Sequence, residues 1–218
     1  PPSAETPLPA DWKQQVGQTV ATYGGHDALF GYMLKDEPNA DQFGQIRDVV
    51  AEFAARDPSH CTCVNLFPVY ATAQQLGTST YQEHLDRYLR AVNPDFLCYD
   101  HYQFMKDGTD REDFFHNLEL AREACARYGK PCWIVILAGW HEHFRDPTEG
   151  ELRWQVYASL AYGIKGIFYF TYWPVRDDYR AIVDYDGNPG PLYETVRRLN
   201  SEMLALGRTL LRLESTHV

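Results

Sequence analysis

Short apolar runs recur along the chain at a nearly constant spacing. They begin near Leu29 (LFGYML), Cys61 (CTCVNLF), Asp95 (DFLCYDHY), Cys132 (CWIVILA) and Gly166 (GIFYFTYW), with starts 32 to 37 residues apart. Runs of this length, rich in branched and aromatic residues, read as buried strands. Between them the apolar residues switch to a spacing of three or four, the period of a helix packed on one side. Asp41–Arg56 carries Phe43, Ile46, Val49, Val50 and Phe53. Tyr81–Val92 carries Leu85, Tyr88, Leu89 and Val92. Glu112–Tyr128, Glu149–Tyr162 and a last segment, Leu192–Leu213, repeat the pattern, and one more helix, Ala10–Tyr23, precedes the first strand. Breakers fall between the segments at Asp57-Pro58, Asn93-Pro94, Gly129-Lys130-Pro131 and Gly163.

Alternating strand–helix units of this size imply an α/β fold with parallel strands and right-handed crossovers. Two architectures satisfy that, an open doubly wound sheet and an eightfold barrel. No G-x-G-x-x-G loop follows any strand, which counts against a nucleotide-binding sheet. Polar and aromatic residues gather instead at the ends of the runs: Asp36-Glu37, Asn65, Asp100-His101-Tyr102, His141-Glu142-His143 and Tyr172-Trp173. A barrel places its active site at that rim. A complete barrel has eight units and about 250 residues; this chain of 218 residues shows five strands. The expectation is a (β/α)8 barrel or an incomplete one, corresponding to the last five-eighths. Residues 1–9, polar and Pro-rich, read as a linker, and residues 10–218 as the barrel-like domain. An open sheet has two bare edges, and a homodimer or the first helix is expected to cover them.

Composition narrows the function classes. With 20 Lys and Arg against 30 Asp and Glu, the net charge of −10 does not suit a general nucleic-acid binder. No run approaches the roughly 18 apolar residues of a membrane helix, and no signal-peptide pattern is legible in PPSAETPLPA, which leaves the compartment open. Cys61, Cys63, Cys98, Cys125 and Cys132 lack the C-x-x-C spacing of zinc and redox sites and read as small buried hydrophobes.

The sharpest chemical signal is Gly31-Tyr32-Met33-Leu34-Lys35-Asp36-Glu37-Pro38-Asn39, a strand ending in two carboxylates. A carboxylic acid buried beside another is held protonated near neutrality and becomes a proton donor; the competing reading is that both acids cap the next helix or pair with a base. Tyr172 and Trp173, at the end of the last strand, suit stacking on sugar rings; for Tyr169 and Phe170 in the strand interior, core filling is the competing reading. Asn65, Tyr99, His101 and Tyr102 are further rim contacts. A metal-dependent hydrolase would draw on His101, His141 and His143 with Asp36, Glu37 and Asp100, but their spacing is not distinctive. Lys35 is a Schiff-base candidate only if buried.

The segments GYMLKDEPN, NLFPVYA, YDHYQF, PTEGELRWQVYASLAYGIKGIFYFTYW and DGNPGPLYETVRRLN, spread from Leu29 to Leu213, resemble barrel glycoside hydrolases of the large retaining clan. They are similar to its beta-galactosidase-like and cellulase-like members. The resemblance implies a TIM barrel that cleaves β-glycosidic bonds in oligo- or polysaccharides with two carboxylates and neither cofactor nor metal. It implies a carbohydrate as partner, no nucleic acid or membrane, and a secreted or periplasmic setting. The clan's acid/base Glu, usually in Asn-Glu-Pro, falls on Glu37, with Asp36 in the Asn position. Its nucleophile ends the seventh strand, here WIVILAGWHEHF, whose end at Ala138-Gly139 has no carboxylate. Glu142, three residues on, and Asp100 are the candidates for that role. The Trp beneath the reacting sugar falls on Trp173. The displaced carboxylate keeps open a barrel that binds carbohydrate without catalysis.

Overall fold

The computed structural model describes residues 7–218. Residues 1–6 of the linker-like segment lie outside the described residues. Helices and strands alternate as the periodicity requires: α1 Trp12–Tyr23, β1 Gly31–Asp36, α2 Phe43–Arg56, β2 Cys61–Leu66, α3 Ala73–Leu76, α4 Tyr81–Val92, β3 Leu97–His101, α5 Phe114–Tyr128, β4 Cys132–Leu137, α6 Glu149–Ala161, β5 Gly166–Phe170 and α7 Tyr193–Leu210. β1 pairs parallel with β2, β2 with β3 and β4 with β5, and the fold is an incomplete (β/α) barrel. The described chain forms two compact units, one running to Tyr99 and including Ala124–Pro131, the other made of Asp100–Glu123 and Cys132–Val218.

In the first unit, β1 pairs with β2 from Gly31↔Cys61 to Asp36↔Asn65, with a register shift between Met33 and Lys35. β2 pairs with β3 at Asn65↔Cys98 and Leu66↔Tyr99. The outer face of β1 is closed by α1 and α2, where Val16, Tyr32 and Phe53 form a buried cluster with Leu29, Leu34 and Val49 around it. Beneath it Asp57 accepts hydrogen bonds from Tyr32 Oη at 2.6 Å and Ser59 Oγ at 2.6 Å. α4 buries Leu85, Tyr88, Leu89 and Val92 on one face, and Asn93 ends it in the left-handed conformation that Asn tolerates. The short α3 was not marked by any apolar period. It forms because Thr72 and Gln75 make a reciprocal capping box and Gly77 closes the turn at φ 69°. Phe30 and Met33 stay exposed, at 57% and 59%.

In the second unit, β4 and β5 run in unbroken register from Trp133↔Gly166 to Leu137↔Phe170. Gly166 is required there, because the Trp133 indole occupies the space of a Cβ. α6 packs Leu152 and Val156 on the sheet. Its buried Gln155 donates to the Leu137 carbonyl and accepts from the Leu137 N–H, both at 3.0 Å, so that the last peptide of β4 is fully hydrogen-bonded. Thr148 and Glu151 form a capping box at the start of α6. All five cysteines are free, and four are buried.

Candidate active site

Within the first unit, the end of β1 is built around Asn65. Asp36 Oδ1 accepts from Asn65 Nδ2 at 2.9 Å, and the Glu37 N–H donates to the Asn65 carbonyl at 2.7 Å. The β1–β2 ladder thus continues one residue past the strand. The chain then turns sharply, with Glu37 at φ 43°. Pro38 is buried, and Asn39 caps the following 3-10 turn by accepting from the Asp41 N–H. Asp36 is an acceptor only, and Asn65 supplies the donor it needs. Lys35 is exposed rather than buried, which removes the condition for the Schiff-base reading. Tyr99 is fully buried.

In the second unit, the last residues of β3 and Tyr102 after it divide between two faces by strand alternation. Asp100 is buried. His101 turns toward α5, where Nε2 donates to Asp113 Oδ1 at 3.0 Å and the ring meets Phe114 edge-on at 5.2 Å. Burial pushes its pKa down, against the pull of Asp113. Tyr102 lies on the other face, in a cluster with Phe104, Leu137 and Phe144. Its ring stands edge-on to His141 at 5.1 Å and near Phe170 at 5.8 Å. Tyr102 and His101 therefore do not share a surface, although they are adjacent in sequence.

His141 is buried in that cluster, and burial lowers its pKa. Its Nδ1 must carry the proton, since it lies 3.1 Å from the Gly139 carbonyl, which can only accept. In the neutral ring Nε2 is then an acceptor. Residues 141–144 form a tight turn closed by the Phe144 N–H on the His141 carbonyl at 2.7 Å. Glu142 occupies the first central position of that turn at φ 43°. Its Oε1 accepts from Tyr179 Oη at 2.9 Å. His143 is exposed beside it.

Tyr172 and Trp173, after β5, are both exposed, and Trp173 meets Tyr185 edge-on at 6.1 Å. Two contacts hold this segment to the loop after β4. The Arg180 N–H donates to the Trp140 carbonyl at 2.9 Å, and Arg180 pairs with Asp146, which also accepts from the Trp140 N–H at 2.8 Å. Tyr179, Arg180 and Gly139 had no signal in the sequence, because loop residues show no period. Among the described residues, no group of three His, Cys, Asp or Glu side chains converges as metal ligands.

The chain resembles known proteins at two levels. The fold matches that of a Bacteroides thetaiotaomicron protein assigned as an alpha-L-fucosidase, with a TM-score of 0.57 at 13% identity. The match covers 91% of this chain but only 61% of that one. A β-1,4-mannanase from the sea hare Aplysia kurodai aligns over 66% of this chain and 49% of its own, with a TM-score of 0.38 at 14% identity. No curated protein sequence matches. The glycoside hydrolase family 42 model, described as beta-galactosidase, matches residues 47–206, most of the chain, beginning after Asp36 and Glu37. The chain belongs to this beta-galactosidase family of TIM-barrel glycoside hydrolases.

Proposed function

We propose that the chain carries the acid/base end of a glycoside hydrolase that cleaves β-linked oligo- or polysaccharides, with Glu37 as general acid/base and Glu142 as the second carboxylate. One observation supports this choice above the others. Among the described residues three non-glycine residues have positive φ: Glu37, Asn93 and Glu142. Asn93 is explained as a helix cap. Glu37 and Glu142 cap no helix, and the left-handed region costs a side chain with a Cβ about 1–2 kcal/mol. Strain held in place by surrounding turns in this way clusters at functional sites.

In the proposed reaction, the Glu37 carboxylic acid gives its proton to the glycosidic oxygen as the bond from that oxygen to the sugar's anomeric carbon breaks. The Glu142 carboxylate faces the positive charge that develops on the sugar. A water then supplies the hydroxyl at that carbon, and its other proton returns to Glu37. Asp36 and Asn65 would orient sugar hydroxyls, Tyr172 and Trp173 would stack on ring faces, and Tyr102 would be a further contact. Asp100 is the remaining strand-end carboxylate.

Hydrolysis of an aryl β-galactoside tests the assignment. Glu37→Gln should lose roughly 10²–10⁴-fold in kcat/KM. Glu142→Gln should be similarly impaired, while Asp100→Asn retains turnover; the reverse pattern would move the second carboxylate to Asp100. The absence of a carboxylate at Leu137-Ala138-Gly139 favours a second reading, a barrel that binds carbohydrate without cleaving it. Glycan binding without turnover in the wild-type chain would establish that reading. The exposed Phe30 and Met33 beside β1 support a homodimer through that edge, to be tested by sedimentation of the wild type against Met33→Lys.

A further inference from the structure

The reading of Glu142 as second carboxylate leaves a question of orientation. Its side chain is exposed, at the tip of a turn, and a free carboxylate there samples several rotamers. We propose that Tyr179 is a positioning residue that fixes the Glu142 carboxylate for the reaction, an inference that rests on Glu142 holding that role.

The geometry carries the argument in three steps. First, a carboxylate offers no proton, so the 2.9 Å contact has Tyr179 Oη donating to Glu142 Oε1. This occupies one oxygen and leaves the other for the sugar. Second, the Tyr179 ring is itself held. It packs against His141 at 5.4 Å and Phe170 at 6.3 Å, and the Arg176 guanidinium lies 5.0 Å above it. Third, the segment bearing Tyr179 is fastened to the loop bearing Glu142 one residue further on, by the Arg180 N–H to Trp140 carbonyl bond at 2.9 Å and the Arg180–Asp146 pair. At that fastening Gly139 lies so close to the Arg180 carbonyl that no side chain fits between them. Tyr179 is thus a rigid hydroxyl placed by the backbone, and Glu142 is the flexible partner it orders. Burial and the Glu142 contact both raise the Tyr179 pKa, keeping the phenol protonated as a donor.

Tyr179→Phe, which keeps the ring and its packing, is the test. Its kcat on an aryl β-galactoside should fall roughly tenfold or more, the scale of a misplaced reacting group. KM and the urea midpoint should stay near wild type, and Tyr179→Phe/Glu142→Gln should be no slower than Glu142→Gln alone. A Tyr179→Phe variant within twofold of wild type, while Glu142→Gln is inactive, overturns the positioning role and leaves the assignment of Glu142 standing. A fully active Glu142→Gln overturns the assignment itself, and the positioning role with it. A readout independent of turnover is tyrosinate absorbance. Glu142→Gln should move one tyrosine titration to lower pH, and that titration should be missing in Tyr179→Phe. If no tyrosine moves, the contact does not exist in solution and the proposal fails.

Discussion

Gly139→Ala places a single methyl group where the loops after β4 and β5 touch. An added Cβ would overlap the Arg180 carbonyl oxygen and sit 2.8 Å from its carbonyl carbon. Two carbons need about 3.5–4.0 Å, so the segment must withdraw by roughly 1 Å. The neighbouring obstacle is backbone, not the movable end of a side chain, and cannot rotate away. The Arg180 N–H to Trp140 carbonyl bond, now 2.9 Å, then stretches out of hydrogen-bonding range. Forcing a methyl into a closed contact costs about 1–3 kcal/mol, and the lost backbone bond about 0.5–1.5 kcal/mol more. The expected destabilisation is about 1.5–4.5 kcal/mol. With a urea slope of about 2–3 kcal/mol/M this moves the unfolding midpoint down by roughly 0.5–2 M. The assay is urea unfolding followed by tryptophan fluorescence, alongside turnover of an aryl β-galactoside, which should fall as Tyr179 leaves Glu142. A midpoint and a kcat indistinguishable from wild type would refute the reasoning, because the two loops would then not be in contact.

Gly207 gives the opposite expectation. It lies in α7 with open space around it, so Gly207→Ala should stabilise by about 0.5–1 kcal/mol, read as a higher urea midpoint. The Arg145 guanidinium grips Glu151 at 2.6 and 2.8 Å and brings its pKa from 4.5 down to about 2. A carboxylate lowered in the folded state adds stability that is full above about pH 4.5 and fades as the pH falls toward 2. Glu151→Gln should therefore be less stable at neutral pH and lose less on acidification, as measured by thermal melts across that range. His84 lies buried between Phe43 and Phe67 with Nδ1 donating to the Leu76 carbonyl, and burial brings its pKa from 6.5 down to about 4. Its neutral form is the folded form, so its contribution is full above about pH 6.5 and is lost as the pH falls through 4. His84→Asn, which keeps a donor for Leu76, should flatten the fall in melting temperature over that interval; an unchanged slope would show that His84 does not drive it.

The local pattern of the chain was enough to locate its elements other than the short α3. A helix and a strand each bury one face, and the period of that face is written into consecutive residues. This is why α2, α4 and α6 begin and end, and all five strands begin, within about two residues of the runs that announced them, the usual scatter of element ends. It is also why an incomplete barrel was legible from the count of units. The Asp36-Glu37-Pro38 stop was legible for the same reason, since Pro cannot continue the ladder.

Other features depended on contacts between residues far apart in the chain, and no periodicity encodes those. α3 rests on a capping box and a glycine rather than on a buried stripe. The direction of His101 is set by Asp113 and Phe114 on α5. The positive φ of Glu37 and Glu142 arises from the turns that Asn65 and the 141–144 bond impose. Tyr179 reaches Glu142 across 37 positions of sequence because Gly139 lets two backbones touch. The sequence by itself determined which segments are strands and helices, since that depends on neighbours a few residues away. The tertiary structure decided which carboxylate is held and by what, because hydrogen bonds between loops follow distance in space rather than position along the chain.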